Sequence, residues 1–109
     1  MELFGMQGYQ KKYLKGLAHS LKPTVFVGQK GAVPSVIKAL EEALDRHELI
    51  KVKFVEFKEK SQKEEIACAL EKETSAERVG MIGHVAILYR QQTDPEKRKI
   101  EVPVRKEGA

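Results

Sequence analysis

Thr24-Val25-Phe26-Val27-Gly28-Gln29-Lys30-Gly31-Ala32-Val33-Pro34 reads as a short strand, a glycine-bounded loop and the start of a helix. Thr24 to Val27 is β-like, and Pro34 suits the first turn of a helix, where its missing N–H costs nothing. Glycines at such a junction let backbone N–H groups approach a ligand closely, and the end of a helix that they introduce favours an anion. Lys30, held between Gly28 and Gly31, adds a full positive charge. Strand, loop and charge together ask for a phosphate.

The surroundings of the loop strengthen this reading. No Asp or Glu occurs between Glu2 and Glu41, while Lys11, Lys12, Lys15, Lys22, Lys30 and Lys38 all fall there. These six lysines outweigh the rest of the chain, whose charges sum to −2, and give the net charge of +4. A chain of 109 residues is expected to form one domain and to bury roughly 65% of its unfolded surface. The single Cys68 excludes an internal disulfide and any CxxC metal or redox motif. With neither a signal-peptide pattern nor an apolar run long enough for a membrane span, the expectation is a soluble, cytoplasmic, basic protein.

Working outward, residues 1–7 are expected to be a flexible leader, 8–104 the domain and 105–109 a tail. Tyr9 to Leu21 has helical spacing, with Tyr9, Tyr13, Leu14, Leu17, Ala18 and Leu21 apolar and Lys11, Lys12, Lys15, His19 and Lys22 on the opposite face. Pro23 ends it. Val33, Val36, Ile37, Leu40 and Leu44 predict a second helix ending near His47, and Leu49 to Val55 a second strand with Ile50, Val52 and Phe54 inward. Ser61 and Glu64 have capping-box spacing for a third helix running to Thr74. Glu77–Ile82 and Val85–Tyr89 predict two strands joined by Gly83-His84 in a type II′ hairpin turn. The order is α-β-α-β-α-β-β. Right-handed strand–helix–strand crossovers place parallel strands in one sheet, and the final hairpin adds an antiparallel strand. The predicted class is therefore α/β, a mixed four-stranded sheet packed with helices. The loop at Gly28 then lies at a strand's carboxyl end, where such sheets bind ligands.

Catalysis has little support. His19, His47 and His84 are far apart and none has metal-ligand spacing; no GxSxG or P-loop is present, and Cys68 has no base partner. No catalytic residue, metal or cofactor is expected; the enzymatic rival would be a small hydrolase or transferase using His84 with a carboxylate. The second glycine pair, Gly80-Met81-Ile82-Gly83, has an apolar centre and reads as structural. Lysines on a helix and at a loop suit nucleic-acid phosphates. The chain has no Trp and seven aromatics, and the patterns assign Tyr9, Tyr13, Phe26 and Phe54 to the core. Shape and backbone contacts should therefore dominate over base stacking, which favours structured RNA.

Several segments together resemble the YhbY-like family of single CRM (chloroplast RNA splicing and ribosome maturation) domains. These are Gln10-Lys11-Lys12-Tyr13-Leu14-Lys15-Gly16-Leu17-Ala18-His19-Ser20-Leu21-Lys22-Pro23, Val27-Gly28-Gln29-Lys30-Gly31, Ala43 to Lys53, Ile82-Gly83-His84-Val85-Ala86-Ile87-Leu88-Tyr89-Arg90 and Ile100-Glu101-Val102-Pro103. The resemblance implies an RNA-binding domain similar in fold to the C-terminal domain of translation initiation factor three, with a GxxG loop like that of KH domains. It implies large-subunit ribosomal RNA or its precursor, within pre-ribosomal particles, as the partner. The candidate RNA-binding residues are Lys11, Lys12, Lys15, Lys22, Gly28, Gln29, Lys30, Gly31 and His84. The chain departs from the family pattern in three places. The basic loop residue, Lys30, is third rather than second; His84 stands where Arg is common; and Gly80 replaces an apolar residue. The alternative expectation is a protein-interaction module whose acidic second and third helices dock a ribosomal protein.

Overall fold

The structure is a computed structural model describing residues 6–56 and 59–104. In chain order the elements are α1 (Gly8–Ala18), β1 (Val25–Val27), α2 (Pro34–His47), β2 (Leu49–Phe54), α3 (Lys60–Thr74), β3 (Glu77–Ile82) and β4 (Val85–Tyr89). A short 3-10 turn, Pro95–Lys97, follows. The four strands form one sheet in the order β1-β2-β4-β3. β1 and β2 are parallel, and β4 is antiparallel to both of its neighbours, so β1, β2 and β3 point the same way. The predicted mixed α/β sheet is present. β4 is inserted within it rather than added at an edge, because Ala86, Ile87, Leu88 and Tyr89 are all buried and need cover on both faces. β3, with Glu77, Arg78 and a bulge between Arg78 and Gly80, takes the edge.

Each face of the sheet has its own core. On one face Val25, Val27, Ile50, Val52, Phe54, Ala86 and Leu88 pack against Leu40 and Leu44 of α2 and Ala67 and Leu70 of α3. On the other, Leu49, Val79, Ile87 and Tyr89 pack against Leu14 and Ala18 of α1, together with Met6 and Val102. Met6, placed by the sequence in the leader, is thus buried; residues 1–5 and 105–109 lie outside the described residues.

Four expectations are corrected. α1 stops at Ala18, short of Leu21. Its buried line is only Gln10, Leu14 and Ala18, so Tyr13, Leu17 and Leu21 remain 43%, 39% and 39% exposed. The alternation of three-residue β1 sends Val25 and Val27 inward and leaves Phe26 55% exposed on the other face, so Tyr13 and Phe26 are not core residues. The Ser61–Glu64 capping box does not form: the N-cap is Glu59, two residues earlier, it makes no side-chain cap bond, and Glu64 pairs with Arg78.

Glu48 holds the polar segment after β4 in place. It ends α2 with a positive φ of 62° and is 1% exposed. Its carboxylate accepts the backbone N–H groups of Gln92 (2.7 Å), Lys99 (2.6 Å) and Ile100 (3.0 Å). Nothing in the sequence pattern marked Glu48, because a charged residue just after a helix is ordinarily solvated.

Candidate nucleic-acid interface

Because β1, β2 and β3 run the same way, the segments that follow them gather at one end of the sheet. The Gly31 N–H donates to the Gly28 carbonyl at 3.0 Å, and neither Gln29 nor Lys30 has a positive φ. This is a type I turn with glycine in its last position, and it presents Gln29 and Lys30 at the tip. Gly31 itself has φ +72°, and a Cβ there would contact Ile66 of α3 at 3.6 Å. The turn therefore sits on α3 and needs glycine for its backbone conformation. Lys30 is exposed, and among the described residues it has no acidic partner. The acid-free run of the sequence is not acid-free in space, since the Glu56 carboxylate lies 4.0 Å from a Cβ position on Gly28.

The hairpin turn arrives at the same end. The Phe54 N–H donates to the His84 carbonyl at 2.8 Å, and the Val55 N–H to the Val27 carbonyl at 3.0 Å. Gly83 has φ +59° and His84 does not share its sign, which fits the predicted type II′ turn. The turn is anchored by Lys63 of α3, a lysine only 7% exposed. Its ammonium donates to the Gly83 carbonyl at 2.9 Å and stands 3.4 Å from His84 Nδ1. His84 is exposed. Lys63 went unnoticed in the sequence because it sits among polar helix residues.

The lysines of α1 are divided by the helix. At about 100° per residue, Lys11 and Lys15 lie on one flank of the buried line and Tyr13 and Leu17 on the other, with Lys12 nearly opposite it. The Lys15 stem reaches across to β3, where its Cε lies 2.6 Å from a Cβ position on Gly80. Lys22 falls on the other side, in an apolar groove of about 540 Å³ lined by Tyr13, Leu17, Leu21, His47 and Ile100. The structure thus places Gly28, Gln29, Lys30, Gly31 and His84 at one end of the sheet. Lys15 approaches from α1, and Lys22 is separated from them. Among the described residues, none of Lys11, Lys12, Lys15, Lys22 and Lys30 forms an ion pair.

Two arginines pair with acids of α2 and α3. Arg90 binds Glu41 at 2.8 Å and Asp45 at 2.7 Å, and Arg78 binds Glu64 and Glu71. Among the described residues no group of three or more His, Cys, Asp or Glu side chains could hold a metal ion, and no helix is long and apolar enough to cross a membrane.

The sequence matches the CRS1/YhbY (CRM) domain over residues 6–90, which takes in α1, the glycine turn and the hairpin. The chain belongs to the CRM domain family. Similar proteins include an RNA-binding protein of Haemophilus influenzae, 45% identical over 86% of this chain and 91% of its own. The probable RNA-binding protein YqeI of Bacillus subtilis is 37% identical over 90% and 99% of the two chains. A solution structure from Staphylococcus aureus, of a hypothetical protein proposed to bind RNA, superimposes with a TM-score of 0.76 at 33% identity. It covers 90% of this chain and 99% of its own. The fold of this CRM domain is therefore that of its solved relative. The names of these relatives describe RNA binding.

Proposed function

We propose that this CRM domain is a non-catalytic factor that binds structured ribosomal RNA in the cytoplasm and assists maturation of the large ribosomal subunit. The observation that carries the reading is Lys30. It stands at the tip of a type I turn at the strands' carboxyl ends, exposed and without an acidic partner among the described residues. Lys15 and Lys11 extend the positive surface along α1, and relatives of high coverage are named as RNA-binding proteins. Such a site neutralises phosphates, so affinity falls steeply with salt. The rival reading, in which acidic faces of α2 and α3 dock a ribosomal protein, is weakened by Arg78 and Arg90, which already occupy four of those acids.

The test is crosslinking of the tagged protein in cells with sequencing of the attached RNA, beside a Lys30→Glu variant. Large-subunit ribosomal RNA should be enriched, and the enrichment should fall in the variant. Diffuse recovery of all RNAs, insensitive to the substitution, would overturn the reading.

A further inference from the structure

The register of the sheet aligns one residue from each strand in a row on the face that carries α1. Phe26 of β1 is opposite Lys53 of β2, Lys53 is opposite Val85 of β4, and Val85 is opposite Ile82 of β3. α1 does not cover this row. Phe26 is 55% exposed and Ile82 68% exposed, Lys53 is exposed, and Val85 is half-buried. One step further along the strands the same face is covered: Ile87 is buried, and the Lys15 stem lies over Gly80. The row is bounded by Lys15 on the α1 side. At its other end, Phe26 is two residues before the glycine turn that presents Lys30.

An aromatic ring and an aliphatic side chain exposed in one row of a sheet, with a half-buried valine between them, are unusual unless something covers them. Here the aromatic is flanked by Lys53 within the row, with Lys15 and Lys30 at its borders. That combination, a ring for stacking with ammonium groups beside it, is how sheets hold unpaired nucleic acid. We infer that this row is a platform for an unpaired RNA segment, with one base stacked on Phe26, the adjoining phosphate on Lys53, and the next base over Val85 and Ile82. The inference rests on the RNA-binding reading above and adds a stacking mode that the sequence pattern, which places Phe26 in the core, disfavours.

Phe26→Trp tests it directly, because the chain has no tryptophan and the substitution introduces the sole indole. Titration with a single-stranded oligouridylate should quench the indole emission and saturate over the range in which labelled oligouridylate binds the wild type. A fully paired RNA duplex should not quench it. Phe26→Ala, which alters a residue outside both cores, should keep the circular dichroism of the wild type and weaken oligouridylate binding about tenfold. Lys53→Gln should lower the salt slope by about one ion. Binding without quenching, at unchanged affinity in Phe26→Ala, would overturn the platform and leave the proposed function standing. Failure of the wild type to bind oligouridylate or a large-subunit ribosomal RNA fragment would overturn both. Sedimentation showing self-association that Phe26→Ala abolishes, with RNA affinity unchanged, would assign the row to a second copy of the chain and overturn the platform.

Discussion

Lys15 lies across Gly80: its Cε stands 2.6 Å from the point that a Cβ on that glycine would occupy, and its Nζ 3.4 Å from it. Gly80, at the bulge of edge strand β3, gives a lysine of α1 a path along the sheet. Gly80→Ala should leave the fold intact, because the clash is with the far end of a flexible side chain, and should push the Lys15 ammonium away from the sheet face. Affinity for RNA should fall by roughly two- to threefold, with a salt slope reduced by less than one ion. Affinity unchanged in a variant of unchanged Tm would show that the Lys15 position is immaterial to binding.

Lys30 projects from a turn whose geometry depends on glycine and not on lysine. Lys30→Glu should therefore melt like the wild type and bind RNA at least about tenfold more weakly, while Lys30→Gln should lower the salt slope by about one ion. Filter binding at several salt concentrations measures both. A folded Lys30→Glu variant of unaltered affinity would remove the turn from the interface.

Glu48 is the clasp of the segment after β4. Glu48→Ala leaves three backbone N–H groups without their acceptor and should cost about 2–4 kcal/mol in urea denaturation. Limited proteolysis should then cut more readily between residues 91 and 104. A loss below about 1 kcal/mol with unchanged cleavage would mean that the segment is held by Ile100 and Val102 instead.

The Tyr89 hydroxyl is buried and, among the described residues, has no hydrogen-bond partner. Burial, aided by the nearby Glu48 carboxylate, pushes its pKa up to about 12 from the usual 10.0. Since the folded state holds the proton more tightly, this contribution to stability is complete below pH 10 and disappears as pH rises through about 12. Tyr89→Phe should abolish that alkaline step, about 2.7 kcal/mol in full and about half of that by pH 11, and be neutral or stabilising at pH 7. Denaturation of both proteins at pH 7 and pH 11 separates the step from lysine titration common to them. An equal alkaline loss in both would exclude Tyr89 as its source.

Elements were legible in this chain wherever local chemistry sufficed. The bounds of α2, β3 and β4 follow from Pro34, from the change of period after His47, and from the turn chemistry of Gly83-His84. The glycine turn was legible for the same reason, since its conformation is set within four residues. The inner face of α1 is narrower than its pattern predicts because a helix of 11 residues touches the sheet along one line, and periodicity does not reveal how wide that line is. The capping box at Ser61 does not form because α3 begins at Lys60, which puts Ser61 inside the helix, and Glu64 pairs with Arg78, which only folding brings near.

By itself, then, the sequence determined the class of fold, the family, and a basic turn at the carboxyl end of the first strand, all of which depend on spacing between near neighbours. Tertiary structure decided what depends on strand order and register. It placed β4 inside the sheet, put the Lys15 stem on Gly80 and the Glu48 carboxylate under Gln92, Lys99 and Ile100, and turned Phe26 outward beside Lys53. The physical reason is that a strand's alternation specifies two faces but not which will be covered, and coverage is set by helices distant in the chain.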